Sequence, residues 1–379
     1  MKKALGVGII GCGNISTTYF SLAPLFRGIE VRACADINPA VAKARAEQFG
    51  VRAMPVDDLL QADDIDIAVN LTIPAAHYEI AARSLDAGKH VYSEKPFVLT
   101  VAEGIDLKKR AAKNKVRAGS APDTFLGGAS QTARRLIDEG QFGKITSGTC
   151  HVMSHGMEHW HPNPDFFFLP GGGPVLDLGP YYIATLINLI GPVTRVAALT
   201  TIPAAERTIT SKPRAGQKIP VKTPTTIHAL LEFANGAAVT LGASWDVWSH
   251  GHAPIELYGE DGTLYLPDPN FFGGDVRITR GDKAPRRAPG QTHPLGVANQ
   301  KHGAVMQANY RTAGLADMAL AIAEDRPHRC SLELALHTVE VMTAMLASGE
   351  TGKFITMKTS CARPAALGVR HARALLRKT

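Results

Sequence analysis

Short apolar runs alternate with helical patterns through the first third of the chain. Ala4 to Ile10 reads as a buried strand, Ile15 to Phe26 as a helix and Val31 to Ala35 as a second strand. Asn38 followed by Pro39 marks a helix start: Asn caps the open N–H groups, and Pro at the first helical position gives up an N–H that has no partner there. That helix runs from Ala40 to Phe49, and Gly50 ends it. Ile65 to Leu71 is apolar enough for a strand covered on both faces. A helix from Ala75 to Ala87 stops at Gly88, which enters the left-handed region without a Cβ penalty. His90 to Ser93 returns to the sheet. Thr100 and Glu103 form a capping box for a helix to Asn114, and Val116 to Gly119 is a short last strand. Strands and helices in this rhythm, joined by crossovers of about a dozen residues or more, predict a parallel sheet.

The period changes after residue 145. Ile145 to His155, Val193 to Ile202, Ile227 to Phe233, Ala237 to Ser244, Ile255 to Tyr258 and Thr263 to Leu266 read as strands, with hairpin turns at Asn235-Gly236 and Asp261-Gly262. This is the pattern of a mostly antiparallel sheet. The helical segment Tyr181 to Leu189 is the candidate cover for one face, and an uncovered face would serve as an oligomer interface. Helical pattern returns from Gln307 to Glu324 and from Leu332 to Leu346; these helices are expected to pack on the first domain or bridge the two. His302, His328 and His337 near them read as structural hydrogen-bonding residues. The expected division is 1–121 and 122–379.

Composition narrows the class. With 379 residues, 45% hydrophobic and 20% charged, the chain has ordinary globular composition and length for two cores. No apolar run approaches the ~18 residues of a membrane span. Met1-Lys2-Lys3 before Ala4–Ile10 superficially resembles a secretory leader, but Gly11-Cys12-Gly13 follows with no cleavage site, so a first strand is the reading taken. Five cysteines, Cys12, Cys34, Cys150, Cys330 and Cys361, form no CxxC pair, which fits a reducing, cytoplasmic protein. The net charge of +7 gathers at Arg277, Arg280, Lys283, Arg286, Arg287 and in the tail from Arg363 to Lys378. Without interleaved aromatics these are solvated loops, and no nucleic-acid or membrane partner is expected.

Gly11-Cys12-Gly13-Asn14-Ile15-Ser16 sits between the first strand and first helix, with Ser16 where a third glycine often stands. The first glycine permits a tight turn, the second lets pyrophosphate approach the backbone, and the helix start offers N–H groups to the anion. Asp36 ends the second strand, 23 residues after Gly13, and suits adenosine-ribose hydroxyls. Ile37 and Asn38 supply no cation for a 2′-phosphate, so NAD is expected rather than NADP; an acidic helix cap is the bland alternative for Asp36. Leu71, which ends the next strand, and Thr72, Pro74 and His77 after it lie at the same sheet end and are expected to line the cofactor, His77 by holding the loop. Glu94-Lys95-Pro96 follows another strand there. A Lys95 ammonium beside nicotinamide would orient a reacting hydroxyl and stabilise developing alkoxide.

Gly171-Gly172-Gly173 leads to Asp177 and, four residues on, Tyr181, with a helix suited to starting at Pro180. If the turn wraps as a helix the two share one side. A substrate-binding acid with a proton-transferring Tyr, or a helix cap with a packed Tyr, both satisfy this spacing.

Taken together, Gly11-Cys12-Gly13-Asn14-Ile15, Asp36, the Pro74/His77 pair, Glu94-Lys95-Pro96 and Gly171-Gly172-Gly173 before Asp177 make the sequence resemble the Gfo/Idh/MocA family of glucose–fructose oxidoreductase and inositol dehydrogenase, over almost the entire chain. The resemblance implies an α/β protein: an N-terminal NAD-binding Rossmann domain and a C-terminal mixed α/β domain with a large open, mostly antiparallel sheet, through which a homodimer or homotetramer assembles. It also implies Lys95 as the catalytic lysine and Asp177 as the substrate-binding acid. Many inositol-dehydrogenase-like members carry His four residues after that acid. Tyr181 stands there in this chain and resembles the glucose–fructose oxidoreductase side, which leaves Tyr181 and Lys95 as rival proton acceptors.

The segment His155 to Asp165, ahead of Phe166-Phe167-Phe168, is expected to frame the pocket, with Trp160 covering a sugar's apolar face and His161 contacting a hydroxyl or nicotinamide. The Phe residues read as core. Its histidines lack a metal-site pattern, and no metal is expected. The function expected is an NAD-dependent dehydrogenase acting on a ring hydroxyl of a sugar, glycoside, anhydrosugar or cyclitol. The alternatives are a self-recycling sugar oxidoreductase that retains NAD(P) and a non-catalytic sensor binding NAD and sugar.

Overall fold

The computed structural model describes residues 4–281 and 283–377; Met1, Lys2, Lys3, Asp282 and Lys378 lie outside the described residues. These divide into two compact units. One holds the residues up to Gly128, Thr292–Val339 and the stretch from Pro364; the other holds Ala129–Gln291 and Glu340–Arg363.

The first unit is built on six strands: β1 (Leu5–Ile10), β2 (Ile29–Ala35), β3 (Arg52–Ala53), β4 (Ile67–Asn70), β5 (His90–Ser93) and β6 (Ala118–Ser120). Their order is β3-β2-β1-β4-β5-β6, and every neighbouring pair is parallel. The connecting helices are α1 (Ser16–Leu22), α2 (Pro39–Phe49), α3 (Val56–Gln61), α4 (Pro74–Asp86) and α5 (Val101–Asn114). The signals read in sequence act locally. The Asn38 side chain accepts the Ala40 N–H, Gly50 stands at φ 67°, and the Thr100–Glu103 capping box closes in both directions. α1 is shorter than expected: it gives way to a 3₁₀ turn at Ala23–Leu25, where Pro24 cannot donate to a continuing helix. Ile10, Ala33, Leu59, Ile65 and Ala68 form part of the core between β-sheet and helices. Because β1 neighbours both β2 and β4, the strand order reverses there, which opens a crevice at the carboxyl ends of β1 and β4.

The second unit contains most of α6 (Gly128–Asp138), then β7 (Ile145–Met153), α7 (Pro174–Ile190), β8 (Val193–Thr201), the small hairpin β9 (Glu206–Thr208) and β10 (Lys218–Pro220), β11 (Thr226–Phe233), β12 (Ala238–Ser244), β13 (Ile255–Gly259), β14 (Gly262–Leu266), β15 (Arg277–Thr279) and β16 (Arg286–Arg287). With β19 (Ile355–Thr356), nine of its described strands form one open sheet, ordered β16-β15-β14-β13-β7-β12-β11-β8-β19. Only β7 and β12 run parallel. The second hairpin turns at Glu260-Asp261, with Gly262 already paired to Gly259. The helix expected to start at Pro180 starts at Pro174 instead. Gly173 at φ 91° turns the chain, Pro174 takes the first helical position, and Pro180 is carried inside the helix at the loss of one backbone hydrogen bond. Every α7 residue from Gly179 to Ile190 is buried, and the helix packs on β7, β11 and β12 as the cover of one sheet face. The other face alternates outward on β11 and leaves Leu230 53% and Leu199 74% exposed.

The first unit is completed by the hairpin β17 (Gln300–His302) and β18 (Val305–Gln307), by α8 (Ala313–Glu324), by the start of α9 (Leu332–Thr351) and by α10 (Val369–Leu375). α8 begins six residues later than its apolar pattern suggests, because residues 305–307 pair in the hairpin and Thr312 takes φ 90°. His328 bonds the Ala118 carbonyl and His337 is buried, whereas His302 lies exposed on β17.

Candidate active site

In the first unit the glycine loop closes the β1 end of the crevice. Gly11 stands at φ 98°, and a Cβ there would lie 2.6 Å from the Leu71 carbonyl, so only glycine fits. A Cβ on Gly13 would meet nothing within 4 Å: this is open space where a pyrophosphate can approach the backbone. Ser16, in place of a third glycine, is fully buried and donates its hydroxyl to the Gly13 carbonyl at 2.6 Å. Asn14 and Ile15 complete the turn into α1. Asp36 is built into the loop. Its two oxygens accept the N–H of Cys12 at 2.8 Å and of Asn38 at 2.9 Å, while Asn38, not Asp36, caps α2. These residues fit a dinucleotide.

The loops after β4 and β5 are tied to the same place. The Leu71 N–H donates to Ile10, and the Thr72 hydroxyl donates to Asn70 Oδ1 at 2.7 Å. Pro74 occupies the first position of α4, where its missing N–H costs nothing. His77 is buried with Nδ1 2.7 Å from the Pro96 carbonyl and Nε2 2.9 Å from the Thr72 carbonyl, so its ring joins the two loops. Half-buried Glu94 accepts the Tyr19 hydroxyl at Oε1, 2.8 Å, and the Lys95 N–H at Oε2, 3.0 Å. Gly11, Leu71–Thr72, His77 and Pro96 thus form one chain of contacts from the glycine loop to the turn that bears Lys95.

In the second unit Asp177 lies in the first turn of α7 and Tyr181 one turn later, both on the same helix side. Asp177 is half-buried and Tyr181 buried. Trp160 is 57% exposed and meets the His161 ring edge-on, and His161 also packs edge-on against Phe166 and Phe167. Phe167 and Phe168 enter a core with Trp245, Ile209 and Ile219 as expected, but Phe166 stays 56% exposed, because the 3₁₀ turn Asp165–Phe168 presents it outward. The segment is anchored by Arg207, which bonds Glu158 at 2.9 Å, Asp246 at 3.0 Å and the carbonyls of His155 and Trp245. Among the described residues no group of three or more His, Cys, Asp or Glu side chains is placed to hold a metal ion.

Two residues of the first unit escaped the sequence reading. Arg45 reaches from α2 to the carbonyls of Cys12 at 3.3 Å and Gly13 at 3.4 Å. Counting two helical turns from the Asn38 cap would have found it. Asp123, after β6, is buried against the Gly314 N–H at 3.0 Å, and no local pattern announces that long-range partner.

A doubly wound parallel sheet with a glycine loop at its switch point, and a second unit carrying a large open sheet, define the two-part class of dinucleotide-binding proteins. Residues 5–121 match the model of an oxidoreductase family with an NAD-binding Rossmann fold, and residues 130–265 match the GFO/IDH/MocA C-terminal domain. The chain belongs to the Gfo/Idh/MocA oxidoreductase family. It is 31% identical to an uncharacterized oxidoreductase of Schizosaccharomyces pombe, over 41% of this chain and 42% of that protein. With the levoglucosan dehydrogenase of Pseudarthrobacter phenanthrenivorans it shares 26% identity over 77% of this chain and 82% of that one. The chain spans about half the length of the first curated relatives it matches. A solved levoglucosan dehydrogenase in complex with NADH and levoglucosan superposes with a TM-score of 0.79 at 20% identity, covering 94% of this chain and all of the other, which shows the shared fold. Among the described residues no helix is long and apolar enough to cross a membrane.

Proposed function

We propose that this protein oxidises a ring hydroxyl of a sugar, glycoside, anhydrosugar or cyclitol with NAD, or reduces the matching ketone. The observation that carries the reading is the chain of contacts from Gly11 through Leu71–Thr72 and His77 to Pro96, which holds the Lys95 turn at the sheet end of the glycine loop. Bound nicotinamide supplies the hydride acceptor. Gly11, Cys12, Gly13, Asn14 and Ile15 cradle the pyrophosphate, Asp36 meets the ribose, and Leu71, Thr72, Pro74, His77 and Glu94 shape the nicotinamide side. Asp36, whose carboxylate repels a 2′-phosphate, supports NAD over NADP, although Arg45 brings a cation to the same loop. Tyr181, assisted by Lys95, takes the hydroxyl proton as the carbon-bound hydrogen leaves as hydride. Asp177, Trp160 and His161 orient the ring, a mixed aromatic and polar set suited to a polyol. The sugar reading is supported by names among the relatives, levoglucosan dehydrogenase and inositol 2-dehydrogenase. The exposed sheet face with Leu199 and Leu230 supports assembly into a dimer or tetramer, which light scattering of wild type and Leu199→Lys would read. Buried cysteines that form no disulfide among the described residues agree with a reducing compartment.

The test is a screen of free sugars, glycosides, anhydrosugars and cyclitols with NAD and with NADP, followed by absorbance of the reduced cofactor. NADH formed in proportion to one added substrate supports the reading. Product exchange between two sugars with no net NADH would point to a retained, self-recycling cofactor. Sugar binding without any redox change would reject catalysis.

A further inference from the structure

A cation at the glycine loop is held by neutral oxygens. Arg45, half-buried on α2, donates from Nη2 to the carbonyls of Cys12 at 3.3 Å and Gly13 at 3.4 Å, and from Nη1 to the Gln48 side-chain oxygen at 2.8 Å. These bonds take three of the five N–H groups of a guanidinium. Its Nε is buried and donates to nothing among the described residues, so the loss of water there stays uncompensated. Lys43, two residues earlier, pairs instead with Glu47 at 3.9 Å. Beside Arg45 lies a groove of about 430 Å³, lined by Ala40, Val41, Ala44, Arg45 and Gln48. The guanidinium is the one charged group in that lining. Ala40 and Val41 belong to the first turn of α2, whose N–H groups are already taken by Asn38, so the helix adds its positive field and no open donor. The acid that meets the ribose is next to this cation. Asp36 Oδ2 accepts the Cys12 N–H at 2.8 Å while Arg45 reaches the Cys12 carbonyl, so carboxylate and guanidinium grip the two ends of one residue.

We propose that Arg45 and its groove seat the 2′-phosphate of NADP, so that the protein takes NADP as a second cofactor beside NAD. This rests on the reading of the glycine loop and Asp36 as the adenosine side of a dinucleotide site. Asp36 alone would repel a phosphate on the ribose hydroxyl it meets. A guanidinium on the same loop residue offsets that charge, and its spare N–H groups suit phosphate oxygens, which arginine binds through charge-assisted hydrogen bonds. The buried Nε gains the acceptor it lacks. Because neutral carbonyls hold Arg45, its charge is left for a ligand, where a carboxylate partner would have cancelled it. Those same bonds fix the side chain in advance, which lowers the cost of ordering it on binding. The motif spacing hides the site: Ile37-Asn38, directly after Asp36, brings no cation, and Arg45 follows two helical turns later. The nicotinamide is at the other end of the dinucleotide, so the hydride step is the same with either cofactor.

Calorimetric titration of the full chain with adenosine 2′,5′-bisphosphate and with 5′-AMP tests this without sugar or turnover. In wild type the bisphosphate should bind within about tenfold of AMP, or more tightly. In Arg45→Met the ratio of bisphosphate to AMP affinity should fall by about 10-fold or more, the size of one lost hydrogen bond to a charged group. Arg45→Lys, which keeps the charge without the fork, should restore part of that ratio. A grip on the loop carbonyls alone would weaken both nucleotides alike and leave the ratio where it was. A bisphosphate bound more than about tenfold more weakly than AMP by wild type overturns the proposal and needs no variant to fold. An unchanged ratio in Arg45→Met overturns it as well. AMP that does not bind would remove the dinucleotide reading together with the proposal. A protein that binds both nucleotides as expected yet reduces neither cofactor with any sugar would fail the sugar reading alone.

Discussion

Two glycines two residues apart should respond to the same substitution in opposite ways. Gly11→Ala places a methyl 2.6 Å from the Leu71 carbonyl carbon and oxygen at φ 98°. The left-handed backbone costs about 1–2 kcal/mol for a residue with a Cβ. The overlap, well inside normal contact, adds about 1–3 kcal/mol. A loss of about 2–5 kcal/mol is a large share of the roughly 5–15 kcal/mol that holds a protein folded. Gly13→Ala is different, because its methyl meets nothing within 4 Å and its φ is not in the left-handed region. Stability should stay within about 0.5 kcal/mol of wild type. Its methyl, however, stands where pyrophosphate must pass, and one misplaced methyl-sized group in a binding site is worth about 1–3 kcal/mol, or roughly 10–200-fold in affinity. Urea unfolding without nucleotide and calorimetric NAD titration read the two effects separately. If Gly13→Ala bound NAD like wild type, the dinucleotide would not run over this loop, and the site assignment would fall.

Lys95→Ala and Tyr181→Phe should each lower kcat by about 10²–10⁴-fold with NAD affinity nearly unchanged, as loss of proton-transfer groups does; stopped-flow reduction of NAD and equilibrium titration check the two halves. Asp36→Ser should weaken NAD and narrow its preference over NADP, read as the ratio of the two kcat/KM values, and should also loosen the loop, since the Cys12 N–H loses its acceptor. Asp123→Asn should be more stabilising at high pH than at low. The folded carboxyl, at about 6 against an ordinary 3.8, binds its proton more tightly than the unfolded one, so wild-type stability falls as pH rises through that window. The full cost above it is on the order of 3 kcal/mol, less about 1 kcal/mol for an unpaired amide donor in the variant. A melting-temperature difference that does not vary between pH 4 and 8 would contradict this.

The fold was legible where the signal is local. Asn38-Pro39, the Thr100–Glu103 box and Gly50 act within one helical turn of themselves, and the structure uses each as read. The antiparallel pattern on β11 shows in its alternation. Errors arose where a distant partner decides. Pro180 looks like a helix start, yet Gly173 had already turned the chain and begun α7. Gln307 looks like a helix start, but the hairpin that pairs residues 305–307 with 300–302 takes it. The site follows the same rule. The glycine loop and Asp36 can be read from their spacing, whereas the grip of His77 on Thr72 and Pro96, the reach of Arg45 and the burial of Asp123 under Gly314 depend on packing between elements.

The most direct measurement follows the hydride itself. A substrate found in the screen, deuterated at the ring carbon that becomes the ketone, is mixed with NAD and the protein, and the reduced cofactor is examined by mass spectrometry. Transfer of the deuterium to the nicotinamide, in proportion to ketone formed, is the expected result. Ketone with an unlabelled cofactor, or no ketone at all, would contradict hydride transfer from a sugar carbon.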